Sequence, residues 1–162
     1  MRRRSVPVAN KRITTLIYAL QKLAWRVLRP RTKGVKVMLF NAAGEIILIR
    51  NTYGRTDLLV LPGGGVRPFE KPAAAAIREV REELGLSVAD LRLRSVHRST
   101  AEGKRDQIYV FQGRTVGTPT LDQLEVQEAL LFRPDAIPPQ TSPATRRRIE
   151  EYIGARRADG CW

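Results

Sequence analysis

The stretch from Lys71 to Leu86, KPAAAAIREVREELGL, constrains the fold of this chain more than any other. Ala73 to Ala76 are consecutive alanines, which have the highest helix propensity and little side-chain bulk. Pro72 suits the first turn of a helix, where its missing N–H costs nothing, and Gly85 suits the position just past the last turn. The spacing therefore predicts a helix over 71–84 that can lie close against a sheet. At about 100° per residue, Glu79, Glu82 and Glu83 cluster around one direction, while Ala73, Ile77, Val80 and Leu84 centre roughly 130° away. One face is predicted core and the other a carboxylate patch. Like charges three and four positions apart destabilise a helix unless something positive meets them. Taken by itself such a trio is a solvated surface, with Arg78 and Arg81 screening part of the charge.

The flanks supply the sheet. GVKVMLFN and EIILIR are β-rich runs joined by Ala42-Ala43-Gly44, a hairpin signal, and DLLVLP is a short third run ended by Pro62. Further strands are predicted in LRLRSVHRS, QIYVFQGRTV and VQEALLF, with residues 117–124 as a loop between the last two. TSPATRRRIEEYI opens on Ser142-Pro143 and reads as a closing helix. Strands before, between and after helices give an α/β fold with a mixed β-sheet. A chain of 162 residues, 43% of them hydrophobic, suits one domain with a core. It has no apolar run long enough to span a bilayer. The single cysteine, Cys161, makes neither an intramolecular disulfide nor a CxxC pair, and a cytoplasmic protein is expected.

The net charge of +13 is concentrated at one end. Residues 1–36 hold 11 of the 29 basic residues and no acidic one, which leaves 18 basic against 16 acidic, about +2, for the remainder. Within that segment ITTLIYALQKLAWRVL has helical apolar spacing and stops at Arg29-Pro30, an amphipathic basic helix. Gln21, Lys22 and Arg26 interrupt it, and no cleavage site follows, which argues against a secretory signal. Packing against the domain or a second subunit, as in a homodimer, is favoured over an anionic membrane surface or nucleic acid as the partner of residues 1–36. The expected organisation is a basic extension over 1–32, a domain over 33–158 and a tail over 159–162.

Gly64, five residues, Glu70, seven residues, then Arg78-Glu79-Val80-x-Glu82-Glu83-x-Gly85-Leu86 match every fixed position of the signature of Nudix hydrolases, which this chain resembles from Gly64 to Leu86. At ordinary residue frequencies that coincidence is on the order of one in a billion per starting position. The LPGGGV entry, EVQEALLF and SPATRRRI also look like their counterparts in bacterial members, so the resemblance covers roughly residues 33–155. It implies an α/β/α sandwich and hydrolysis of a phosphoanhydride bond in a nucleoside diphosphate linked to another moiety. Such a reaction centre is ringed by negative oxygens, so concentrated positive charge is required, usually Mg²⁺ with Mn²⁺ as a substitute. By resemblance Glu79, Glu82 and Glu83 are its ligands, and a carbonyl of the Gly63-Gly64 loop joins them. Arg78 resembles the arginine that orients these glutamates, with Glu70 its partner. A general base is expected from Glu125 or, second, Glu128; either could instead be a further metal ligand.

Substrate contacts are expected from Arg50, at the end of a strand, and from Arg98 and Arg105, which flank a hairpin. His97 lies in a strand pattern and reads as structural; Phe40, Trp25 and Phe111 read as packing. The run Val66-Arg67-Pro68-Phe69-Glu70 departs from relatives, many of which place a glutamate and a glycine before the equivalent of Glu70. Phe69 stiffens that turn and Arg67 reverses a charge near the metal. The alternatives to a small-molecule nucleotide hydrolase are an RNA 5′-end pyrophosphohydrolase served by the basic N-terminus and a non-catalytic nucleotide-sensing module. The intact carboxylates of the motif disfavour the latter.

Overall fold

Alternation along β1 (Arg31–Phe40) gives one strand two different apolar faces. Val35, Val37 and Leu39 point one way, while Met38 and Phe40 belong to a second cluster on the other. A computed structural model describes residues 31–99, 105–160 and 162 of the chain; the segment expected as an N-terminal helix and Cys161 lie outside them. β1 runs into β2 (Ile46–Asn51) through a turn in which Asn41 Oδ1 accepts the backbone N–H groups of Ala43 and Glu45. β2 also pairs antiparallel with β3 (Leu59–Val60) and, along its length, with β6 (Val126–Phe132). On the other side β1 lies parallel to β5 (Arg105–Arg114), which pairs antiparallel with β4 (Ala89–Ser99). The strand order is β3-β2-β1-β5-β4 with β6 beside β2, a mixed sheet.

Helices cover both faces. α1 (Pro72–Leu84) buries Ala75, Ala76, Val80 and Leu84 against Val37, Leu39, Ile47, Ile49 and Phe111. α2 (Pro143–Tyr152) places Ile149 among Met38, Phe40, Ile46, Leu48 and Val110. Gly85 ends α1 in the left-handed region, its N–H donating to the carbonyl of Arg81, and the Ser142 hydroxyl accepts the Thr145 N–H at the start of α2.

The core face of α1 differs from the one expected. Ala73 and Ile77 are exposed, whereas Ala75, Ala76, Glu79 and Glu83 are buried. The helix is rotated so that its glutamates flank the contact with the sheet instead of opposing it. Alanine at 75 and 76 leaves room for this close approach, which a periodicity weighted by apolar bulk does not reveal.

Of the C-terminal residues expected as a tail, Gly160 and Trp162 lie beside β4. Arg98 donates its N–H to the Gly160 carbonyl and accepts the Trp162 N–H, and the Trp162 ring lies 5.9 Å from the buried Arg148 guanidinium. Arg148 is ion-paired to Glu151 at 2.7 Å and hydrogen-bonded to the buried His97. His97 thus anchors α2 and the C-terminus to β4, on the far face from α1.

Between β3 and α1 the chain makes a tight turn, with the Glu70 N–H donating to the Arg67 carbonyl at 3.1 Å. Pro68 occupies its second position and Phe69 its third, with φ = 64° and the ring exposed. A type II turn favours glycine at that place, and an L-residue there is strained by about 1–2 kcal/mol. Glycine relieves the strain but gives back part in chain entropy. Phe69→Gly is therefore expected to stabilise the fold by about 0.5–1 kcal/mol, read as a higher urea midpoint with an unchanged slope.

Candidate active site

The site begins with the loop that leads into α1. β1 and β2 pair at Phe40↔Ile46, and further along β1 the loop takes over the strand edge. Val37 N–H donates to the Pro62 carbonyl, Val35 N–H to Gly64 and Val66 N–H to Lys33, each at 2.9 Å. Two glycines are dictated by what lies beside them. Gly63 has φ = 127°, and a Cβ there would overlap the Val35 carbonyl oxygen. A Cβ on Gly64 would stand 2.7–2.8 Å from the carboxylate atoms of Glu79. The glycines therefore let bare backbone meet two helix carboxylates at close range.

Glu83 is buried, and its Oε2 accepts the Gly63 N–H at 2.8 Å. Burial pushes its carboxyl up to about 7; the Lys36 charge and the Gly63 N–H oppose the rise, and the charges of Glu79 and Glu125 add to it. Arg78 sits one turn back and spreads its guanidinium over four partners. It donates to both oxygens of Glu70 at 2.8 and 2.9 Å, to Glu79 Oε1 at 2.8 Å, to Glu82 Oε2 at 2.9 Å and to the Gly65 carbonyl at 2.9 Å. Glu70 also accepts the Arg67 N–H, and Arg78 above all holds its carboxyl down to about 2. Arg67 adds a 3.2 Å bond to Glu82 Oε1, so Glu82, the most exposed of the three helix glutamates, has both oxygens on arginines.

The loop before β6 brings in Glu125. Thr120 N–H donates to the Leu84 carbonyl and Asp122 N–H to the Glu83 carbonyl, which satisfies carbonyls that the end of α1 leaves open. Glu125 follows in the turn opened by Asp122, where desolvation and then the charges of Asp122, Glu79 and Glu82 raise its carboxyl above the usual range.

Four other expected residues lie outside this cluster. Arg50 and Glu128 stand directly opposite on β2 and β6 and are bonded to each other at 2.5 Å. By strand alternation they share the side of Ile46 and Leu48, away from α1, where they form a cross-strand ion pair. Arg98 holds the C-terminal residues through its backbone and makes no side-chain contact to the glutamates among the described residues. Arg105 opens β5, paired with Arg31.

Lys36 went unnoticed in the sequence. Its Nζ donates to the carbonyls of Leu61 at 2.9 Å and Gly63 at 2.7 Å. Burial lowers its pKa, against the pull of Glu83 and Glu79. The signal was a lysine inside an otherwise apolar strand, GVKVMLF, where a solvated cation is out of place.

Among the described residues no three carboxylate or imidazole groups are grouped so as to hold a cation by themselves. The carboxylates of Glu83 and Glu79 converge on the loop, Glu83 on the Gly63 N–H and Glu79 against Gly64. That set of hard oxygens fits Mg²⁺, which binds few protein groups and retains several waters.

An α/β/α sandwich whose helix glutamates meet a glycine loop defines a class of protein. The NUDIX domain model matches residues 30–152, and the chain belongs to that family. An uncharacterised Nudix hydrolase of Pseudomonas aeruginosa is 33% identical over 109 residues, 64% of this chain and 63% of that protein. Human diphosphoinositol polyphosphate phosphohydrolase 2 is 35% identical over 67 residues, 41% of this chain and 37% of its own. The chain thus spans less than two thirds of these relatives. A Bacillus subtilis protein bearing the provisional name 8-oxo-dGTP diphosphatase is 28% identical over 75% of this chain and 79% of its own. Among solved structures, a MutT Nudix hydrolase from Burkholderia pseudomallei superposes with a TM-score of 0.66 at 26% identity, covering 74% of this chain and 96% of that one. No helix among the described residues is long and apolar enough to cross a membrane.

The Glu83 environment has a consequence for stability. The folded protein keeps the Glu83 proton up to about pH 7, whereas the unfolded chain releases it near 4.5. Between those values the folded state binds more protons, so stability falls as pH rises, by up to about 3 kcal/mol from this group. Metal-free protein is expected to melt at lower temperature at pH 8 than at pH 5, and Glu83→Gln to flatten that slope. Thermal unfolding of both proteins across this range checks it.

Proposed function

We propose that the protein is a divalent-metal-dependent hydrolase of a phosphoanhydride bond in a nucleoside diphosphate linked to another group. The observation that carries this reading is the meeting of the Glu79 and Glu83 carboxylates with the Gly63-Gly64 backbone. The relatives named as an 8-oxo-dGTP diphosphatase and a diphosphoinositol polyphosphate phosphohydrolase support cleavage of phosphate linkages. Mg²⁺, or Mn²⁺ in its place, supplies when bound the positive charge that a diphosphate requires.

The chain's own groups divide the remaining work. Glu79, Glu83 and the Gly63 carbonyl would hold the ion, with Glu82 as a further ligand. Arg78 fixes the directions of Glu79 and Glu82 while Glu70 fixes Arg78. Glu125 takes the proton of the attacking water, and its raised pKa brings it closer to the pH at which a base works best. The substrate is a nucleotide-type small molecule, met in the cytoplasm.

Glu83→Gln keeps the shape of the side chain and removes its charge. Its kcat is expected to fall by at least about a hundredfold with Mg²⁺, and chelation of the wild type to abolish turnover until Mg²⁺ is restored. A panel of nucleoside triphosphates, dinucleotides, nucleotide sugars and 5′-triphosphate RNA, assayed for phosphate and pyrophosphate release, identifies the substrate. Turnover by Glu83→Gln at the wild-type rate would overturn the assigned metal site.

A further inference from the structure

In the loop entering α1 the carbonyls of Leu61, Pro62, Gly63, Gly64 and Gly65 each accept a hydrogen bond, and one side chain supplies two of these. The Pro62 and Gly64 carbonyls accept from the β1 N–H groups of Val37 and Val35, and the Gly65 carbonyl accepts from Arg78. The carbonyls of Leu61 and Gly63, which alternate with these, are left without a β1 N–H. Lys36 Nζ reaches both, at 2.9 and 2.7 Å. Its own position on β1 makes this geometry available. Val35 and Val37 turn to the α1 face, so Lys36 leaves β1 on the other and reaches the loop from there.

Gly63 is consequently held at both ends. Glu83 of α1 takes its N–H at 2.8 Å, and Lys36 of β1 takes its carbonyl. This matters because Gly63, at φ = 127°, adopts a backbone conformation with no side chain to fix it. We infer that Lys36 is a positioning residue, clamping the Gly63 peptide so that its carbonyl presents its remaining lone pair to the cation beside Glu79 and Glu83. The inference deepens the proposed hydrolase function and rests on it for the catalytic consequence, while the clamp itself is a property of the metal-free protein. A carbonyl oxygen has two lone pairs, so the bond to Lys36 leaves one for a metal. The cost of holding a half-buried ammonium in an apolar strand is offset by two carbonyls and by the nearby charges of Glu83 and Glu79.

The test uses the full chain and reads two quantities. In metal-free Lys36→Met, amide exchange at Gly63 followed by NMR is expected to quicken about tenfold, the loss of one charge-assisted hydrogen bond, while the Val80 to Leu84 amides keep wild-type rates. With Mg²⁺ and the substrate found in the panel, kcat falls about tenfold and KM changes less than about twofold. Lys36→Arg, which retains charge and donors, restores most of both. Lys36→Gln, which keeps a neutral donor, gives the same reading if the methionine variant does not fold. Unchanged Gly63 exchange overturns the clamp. Faster exchange with unchanged kcat makes Lys36 a loop support and overturns its positioning role. If the wild type hydrolyses nothing in the panel while Gly63 exchange quickens in the variant, the clamp stands and the hydrolase function falls.

Discussion

The arrangement around α1 depends on one guanidinium. Arg78 donates to Glu70, Glu79, Glu82 and the Gly65 carbonyl, so it joins the turn before the helix, the glycine loop and two helix carboxylates through five bonds. Two like charges about 4 Å apart repel by roughly 4 kcal/mol at an effective dielectric of 20, several times the strength of an exposed helix pair. Carboxylates at 79, 82 and 83 can therefore share a face because a planar, permanently charged fork lies among them. A lysine would supply the charge without the geometry, since it cannot grip Glu70 with two parallel bonds and also reach forward to Glu79 and Glu82.

β1 provides the second constraint. Its apolar residues build both cores, its backbone N–H groups hold the Pro62 and Gly64 carbonyls, and Lys36 holds Leu61 and Gly63. The glycine loop is thereby an extra edge of the sheet, and rigidity of the sheet is passed to the backbone groups that face Glu79 and Glu83. The loop over 117–125 closes the other side by capping the carbonyls of Glu83 and Leu84. Sheet, helix and two loops each fix part of the site, which is why its residues come from such distant parts of the chain.

Much of this was legible beforehand, and the exceptions have physical causes. Strands, helices and the mixed sheet followed from period and turn residues, and the Glu70–Arg78 partnership followed from the motif's resemblance to Nudix hydrolases. Long-range pairing was not legible. Arg50 and Glu128, 78 positions apart, become neighbours through β2–β6 register, which neither segment encodes alone. The rotation of α1 was missed because Ala75 and Ala76 carry little weight in a hydrophobic pattern, although their small size decides how closely the helix approaches. Lys36 was missed because a lysine's reach is set by its stem and by where the loop carbonyls lie in space. The tail became part of the structure through Trp162, whose partner Arg148 is a buried cation that the sequence presented as one arginine of a basic run.

The balance of charge explains why these groups remain under tension without a ligand. Five carboxylates, those of Glu70, Glu79, Glu82, Glu83 and Glu125, are set against three cations, Lys36, Arg67 and Arg78. With all ionised, negative charge is in excess, and Asp122 beside Glu125 adds to it. The strain is distributed unevenly: Glu70, gripped by Arg78, stays far below the usual carboxylate range, while Glu83 and Glu125 are pushed above it. The carboxylates hardest to ionise are thus those beside the glycine loop and its facing turn. Arg67 stands where many relatives carry a glutamate, and it spends its charge on Glu82 at the rim. That substitution relieves repulsion at the outer edge and leaves the inner pair, Glu79 and Glu83, as the place where an added cation gains most.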